Sequence, residues 1–287
     1  MRNTIRFDWA IKRLLRNKAN FGILEGFLSE LLGEDIKIES LLESESNKQT
    51  EVNKMNRVDL MVQNSKGELV IIEVQSDYTQ DYLLRILFGI SKLIIDNMDK
   101  GMEYRKIKKV ISVNIVYFDL GEGTDYIYEG TTSFKGRNNK DTLSLSSRER
   151  LILNAERVEK IFPEIYIIKV NRFNEVAKNT FDEWVNFLKT EYVKEDTKAK
   201  GLKEAKEKID VLRLNKEEMI AYENDEDAWR DNASLMSTHY ISGKIEAIKE
   251  MAKSAIKNGL SIEMTAKITG LTEDEIRDII KTETNLQ

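Results

Sequence analysis

The 287-residue chain has no cysteine, one histidine and one proline. Without cysteine there can be no disulfide, no Cys-ligated zinc and no thiol nucleophile. The lone histidine, His239, lies far along the chain in a helical stretch, which leaves no basis for a His-rich metal site or a Ser-His-Asp triad. No G-x-x-x-x-G-K-[ST] loop is present and no G-x-G-x-x-G opens a helix, so nucleotide binding has no motif behind it. A membrane-spanning helix needs about 18 consecutive apolar residues, and no such run exists. Met1–Arg6 contains no apolar stretch of signal-peptide length, and the expectation is a cytoplasmic protein with no membrane partner. The single proline, Pro163, argues against a Pro-rich linker or a low-complexity segment. If the chain is an enzyme, carboxylate-based metal chemistry is what remains.

Hydrophobic residues make up 41% of the chain, enough for a real core, and the length accommodates one large domain plus an appendage. The net charge is −5, which by itself does not favour a polyanion partner. Its distribution is uneven. Arg2, Arg6, Lys12, Arg13, Arg16 and Lys18 crowd the start against one acid, Asp8. Lys100, Arg105, Lys106, Lys108 and Lys109 form a second basic cluster, and Lys135, Arg137 and Lys140 a third. The stretch from Glu217 to Asp231 is strongly acidic. Charge runs are usually solvated faces, and whether these converge on one surface depends on the fold.

Two short apolar runs carry most of the information. Arg57–Val62 and Leu69–Gln75 flank the polar stretch Asn64–Glu68 and read as one β-hairpin. Asp59 interrupts the first run and Glu73 the second. A carboxylate within an apolar strand is costly to bury unless a charge compensates it. Two on neighbouring strands point to a divalent cation. Because strand side chains alternate, Glu73 and Gln75 share a face with Leu69 and Ile71. Asp59 joins them only if it pairs with residue 71 or 73, and pairing it with Glu73 sets Gln63 against Leu69. A slip of one residue would turn Asp59 to the wrong face. The competing reading leaves both acids in solvent near strand ends.

These residues resemble the PD-(D/E)XK nuclease superfamily, in which an Asp on one strand is followed by Glu-x-Lys or Glu-x-Gln on the next. Phe7–Lys12, Asn56–Leu60, Val70–Gln75 and Tyr82–Arg85, taken in order, are similar to its transposase-like, recombination-promoting branch. The resemblance covers roughly residues 1–190 and continues more weakly beyond. It implies a divalent-metal-dependent DNA endonuclease acting on duplex DNA, linked to recombination or mobile elements. It further implies Mg²⁺, or another divalent cation such as Mn²⁺ or Ca²⁺, held by Asp59, Glu73, Asp8 and the backbone carbonyl of Val74. Gln75 would hold the attacking water in place of the superfamily's lysine, a residue that can also bring positive charge. Lys12, one helical turn from Asp8, is the candidate replacement cation, although an Asp–Lys pair at this spacing is as often a plain surface ion pair. Arg57, Tyr82 and Arg85 are the expected DNA contacts. Arg85 has the chemistry to meet phosphate, but such arginines more often pack or pair at the surface.

The expected fold class is α/β (α+β), a restriction-endonuclease-like mixed central sheet flanked by helices, with a helical C-terminal appendage. Phe7, Ile11, Leu14 and Leu15 mark one amphipathic helix; Phe21 to Leu32 mark a second, stopped by Gly33. Strands are expected near 36–42, in the hairpin, at 110–118, near 126–134 and at 165–170. Helices are expected over 80–98, with Leu83, Leu84, Leu87, Ile90, Leu93 and Ile94 on the apolar side, and over 181–192. The segment order α, β, β, β, α, β matches the core order of the resembled superfamily. The expected divisions are a nuclease-like domain at 1–190, a charged region of short helices at 191–241 and a helix-turn-helix-like tail at 242–287. In the tail, Ser261 caps one helix and Thr272-x-x-Glu275 forms a capping box for the next. The second helix opens Glu273-Asp274-Glu275, which would repel phosphate, so a packing element or a homo-oligomer contact through the C-terminal helices is favoured over a DNA reader.

Three readings follow, in order of preference. The first is the metal-dependent endonuclease. The second is a catalytically weak or inactive nuclease-fold protein that binds DNA or a partner. The third is an interaction protein working through the acidic helical tail.

Overall fold

The computed structural model describes residues 11, 14–15, 20–42, 60–209 and 216–284, which fall in two compact units, residues 1–214 and 215–287. In the first unit, the central hairpin is set by its turn. Asn64 Oδ1 accepts hydrogen bonds from the backbone N–H groups of Lys66 (3.0 Å) and Glu68 (2.9 Å), and Gly67 supplies a φ of 76°, a conformation that costs glycine little. The flanking strands are β2 (Leu60–Asn64) and β3 (Leu69–Gln75). They pair antiparallel with Leu60 opposite Ile72, Met61 opposite Ile71, Val62 opposite Val70 and Gln63 opposite Leu69. Gln63 therefore meets Leu69, as the metal hypothesis required.

Among the described residues, the sheet around this hairpin has six strands. They are β1 (Ile38–Leu41), β2, β3, β4 (Val110–Val116), β6 (Glu164–Lys169) and β5 (Ile127–Gly130), in that spatial order. β1 and β2 are antiparallel, β3, β4 and β6 run parallel, and β5 returns antiparallel on the far edge. The sheet is thus mixed, and all seven residues of its central strand β4 are buried, as a strand covered on both faces must be. The order helix, three strands, helix, strand is present from residue 21 onward. The strand expected at 126–134 is the shorter β5, followed by a polar loop that contains the Lys135–Thr142 bridge and leads into α3 (Ser147–Leu153).

Strand alternation sends one set of side chains to each face. Leu60, Val62, Val70, Ile72, Val74, Ile111, Val113 and Ile115 form one core with α1 (Phe21–Leu32), α4 (Thr180–Thr190) and α5 (Leu202–Lys208), and Ile11, Leu14 and Leu15 join it. α1 approaches the chain near Lys200 so closely that a Cβ on Gly26 would lie 2.3 Å from the Lys200 carbonyl oxygen. Gly33, at φ 67°, ends α1 with its N–H donating to the Ser29 carbonyl.

The opposite face is covered by α2 (Tyr82–Asp96), whose Tyr82, Ile86, Ile90 and Leu93 pack on Leu69, Ile71, Val110, Val116 and Phe118. The expected apolar side of this helix needs correction. Leu83, Leu84 and Leu87 are exposed at 56%, 67% and 58%, together with Phe88 and Ile95. The segment carries more apolar residues than one stripe can hold. Tyr82, seated edge-on against Phe118 at 5.4 Å between ring centroids, decides which stripe turns inward.

In the second unit, α6 (Lys216–Lys257) is one continuous helix rather than several short ones. Its 42 residues contain no proline and one glycine, Gly243, and a single interior glycine costs only about 1 kcal/mol. α6 packs with α7 (Ile262–Thr269) and α8 (Glu273–Thr284), burying Ala252, Thr265, Thr269 and Ile276. Ser261 caps α7 by accepting from the Met264 N–H. Thr272 and Glu275 form the capping box of α8, with Thr272 N–H donating to Glu275 Oε2 at 2.8 Å and Glu275 N–H to Thr272 Oγ1 at 3.3 Å. Among the described residues, no helix is long and apolar enough to cross a membrane.

Candidate active site

Glu73 and Gln75 lie at the C-terminal end of β3, beside the end of its parallel neighbour β4. That end of a parallel pair is where ligands commonly bind in open α/β sheets. By alternation both side chains stand on the face covered by α2, with Leu69 and Ile71. Each is only half-buried, whereas Leu69 to Ile72 and Val74 are buried. The strand thus emerges from under α2 where its polar residues begin. The Gln75 side-chain amide nitrogen donates to the Asp77 backbone carbonyl at 3.3 Å, and the Gln75 backbone carbonyl accepts from the Tyr117 N–H at 3.0 Å. Val74 points to the opposite core.

Tyr82 and Arg85 open α2 immediately beyond β3. Tyr82 is fully buried, so its ring is a support rather than an exposed surface. Arg85 is half-buried, with its guanidinium carbon 5.8 Å from the Tyr82 ring centroid. Tyr78 and Tyr82 both meet Phe118 edge-on, at 5.5 and 5.4 Å, which locks the β3–α2 connection against the end of β4. Asp59, Asp8, Lys12 and Arg57 lie outside the described residues.

Sequence reasoning passed over two residues on this face. Asn114 on β4 is registered beside Glu73 and is 1% exposed. Its Nδ2 donates to Ser112 Oγ (3.0 Å) and the Tyr166 carbonyl (3.1 Å). Its Oδ1 has no hydrogen-bond partner among the described residues. The signal was available: Ser112 and Asn114 are the two polar residues of an otherwise Val/Ile strand, and their spacing puts them on one face. The second is Lys169, which is fully buried and registered beside Val116, itself beside Gln75. Its ammonium donates to the Gly123 carbonyl at 3.4 Å and lies 5.4 Å from the Tyr128 ring centroid. Lys169 therefore turns toward β5 and does not stand in for a lysine at position 75.

The second basic cluster sits away from these residues. Lys108 and Lys109 directly precede β4, at the sheet edge opposite Glu73. Lys108 donates to Gln63 Oε1 at 2.7 Å, and Lys109 pairs with Glu164 at 2.7 Å. Burial pushes the Glu164 carboxyl up, but the ammonium groups of Lys109 and Lys160 outweigh this and hold it below the ordinary carboxylate range.

The two residues registered side by side here offer oxygens, the Glu73 carboxylate and the Asn114 amide carbonyl, the latter without a hydrogen-bond partner among the described residues. This set suits a hard divalent cation and is wrong for a soft metal. Among the described residues, no group of three or more His, Cys, Asp or Glu forms a metal cluster, so a cation there needs acids from outside them.

Comparison with curated proteins and with solved structures gives no match in either. A family model described as PD-(D/E)XK nuclease family transposase matches residues 5–239, well over half of the chain. With its mixed six-stranded sheet and its Glu-x-Gln strand end, the chain belongs to the PD-(D/E)XK nuclease family transposases.

Proposed function

We propose that the protein is a divalent-metal-dependent DNA endonuclease that hydrolyses phosphodiesters in duplex DNA, in the cytoplasm, as part of recombination or of a mobile element. The observation that carries this reading is the hairpin register. It sets Leu60 opposite Ile72 and Gln63 opposite Leu69, the pairing that a two-acid site on this hairpin calls for, with Glu73 and Gln75 on the face where β3 emerges from beneath α2. Asp59 and Glu73 would be the principal ligands for Mg²⁺, with Mn²⁺ or Ca²⁺ as substitutes, joined by the Asp8 carboxylate and the neutral Val74 backbone carbonyl. A bound divalent cation neutralises charge on the scissile phosphate and makes water nucleophilic.

The chain's own groups do the rest. Gln75 orients the attacking water, a task an amide performs without adding charge. Lys12 supplies the positive charge that Gln75 lacks. Arg57 and Arg85 grip flanking phosphates, and Tyr82 holds Arg85 from below through its ring. The test is nicking of supercoiled duplex DNA against Mg²⁺ concentration. Asp59→Ala and Glu73→Ala should each abolish Mg²⁺-dependent nicking, and full activity in both variants would refute the assignment.

One observation favours the second reading, a nuclease fold that binds DNA or a partner without efficient cleavage. The Gln75 amide is engaged with the Asp77 carbonyl, and no charged group stands at its position. That reading predicts metal-independent DNA binding which survives Glu73→Ala.

A further inference from the structure

Asn114 occupies a position where an apolar residue would suffice. β4 is buried along its whole length, and the core on this face is built from Val, Ile, Leu and aromatic side chains, with Ser112 and Glu73 as the polar neighbours of Asn114. A buried amide is tolerated when its groups are bonded, and only half of this one is. The orientation of the amide is chemically determined. The Tyr166 carbonyl can only accept, so the atom facing it at 3.1 Å is nitrogen. With Nδ2 held toward β6 and Ser112, the planar amide turns Oδ1 away from both. On the other side of Asn114 the registered neighbour is Glu73, one strand spacing, about 4.8 Å, away.

We propose that Asn114 Oδ1 is a donor oxygen of the cation site at Glu73, a neutral ligand additional to the acidic set. The proposal rests on reading the Glu73 face as a metal site. Hard divalent ions take amide carbonyl oxygens as readily as carboxylates. At 1% exposure, a neutral oxygen is far cheaper to bury than a further carboxylate. The two hydrogen bonds from Nδ2 hold the oxygen in place before the ion arrives, which lowers the cost of ordering the ligand on binding.

The test needs no cleavage. Mn²⁺ is titrated calorimetrically into the full-length protein without DNA, using wild type, Glu73→Ala, Asn114→Leu and Asn114→Ala. Circular dichroism and thermal unfolding show which variants are folded. The Asn114 variants should raise the Mn²⁺ Kd about 10- to 100-fold, as loss of a supporting metal-site group typically does. Wild-type affinity in a folded Asn114 variant overturns the proposal and makes the residue structural, its oxygen met by water. If Glu73→Ala loses Mn²⁺ binding while Asn114→Leu retains it, only the Asn114 assignment falls. If wild type binds no Mn²⁺, the metal reading fails and this one with it. A second measurement uses the unmutated chain: the Asn114 side-chain amide resonance must move on Mg²⁺ saturation, and an unmoved resonance also overturns the proposal.

Discussion

Glu164→Gln tests whether the end of the sheet opposite the candidate site is held by charge. Glu164 opens β6 and is 4% exposed. It accepts from Lys109 at 2.7 Å and from Lys160 at 2.9 Å, and the Tyr166 hydroxyl lies 3.4 Å away. Lys109 is itself nearly buried, its side chain 10% exposed, with Glu68 at 3.8 Å as its other acid. Breaking a buried pair by neutralising one partner costs about 3–5 kcal/mol. The half-exposed Lys160, 46% exposed, adds little, and the amide keeps an acceptor, so about 2–4 kcal/mol is expected. For a unit of this size each kcal/mol moves the melting temperature by about 2–4 °C, a fall of roughly 10 °C at neutral pH.

The pH dependence gives the prediction its direction. The folded pKa of Glu164 lies below its ordinary value of 4.5. Its stabilisation is therefore complete above the unfolded pKa and is lost as pH falls through the folded one. The melting difference between wild type and Glu164→Gln, followed by calorimetry from neutral to about pH 3, should shrink on acidification. A difference that stays constant or widens would refute the charge argument. DNA nicking should be unchanged at temperatures where both proteins are folded, because β6 begins at the edge away from Glu73.

Other expectations are equally concrete. Gly26→Ala places a methyl 2.3 Å from the Lys200 carbonyl oxygen, and the forced separation of α1 from that segment should cost about 1–3 kcal/mol in denaturant unfolding. On α2, Leu84→Lys should change stability by less than about 0.5 kcal/mol. Ile90→Ala on the buried stripe should cost about 2–5 kcal/mol; equal effects of the two would contradict the observed face. Tyr82→Ala should both destabilise the fold by about 3–5 kcal/mol and, in folded protein, weaken DNA binding through Arg85. An Arg85→Ala variant with wild-type DNA affinity would remove Arg85 and Tyr82 from the interface.

Much of the architecture was legible because local rules act over short spans. The Asn64–Glu68 turn, the Leu69–Gln75 strand after it, the Gly33 helix stop and the Thr272–Glu275 capping box each depend on a few neighbouring residues, and each is where the pattern put it. Requiring that two acids share a face left the registers that pair Asp59 with residue 71 or 73, the second of which sets Gln63 against Leu69, and Gln63 does oppose Leu69. Acids on strands carry a strong signal because burying them without compensation is so costly.

The rest depended on contacts between residues remote in sequence. The apolar residues of 82–96 were identified, but several stripes were available, and only Tyr82 against Phe118 selects the one that turns inward. The clustered Lys108 and Lys109 suggested a basic surface until Gln63 and Glu164, from other strands, engaged them. Asn114, one of two polar residues in an apolar strand, drew no attention in the sequence, and it is the parallel pairing of β3 and β4 that sets it beside Glu73. The sequence by itself determined the strand and helix vocabulary, the exclusion of thiol chemistry and the candidate carboxylates on the hairpin, because these follow from residue identity and short-range periodicity. Only the tertiary structure decided which helix face is buried, which charges are already paired and which neutral oxygen stands beside the acid, because each depends on which distant strand is the neighbour.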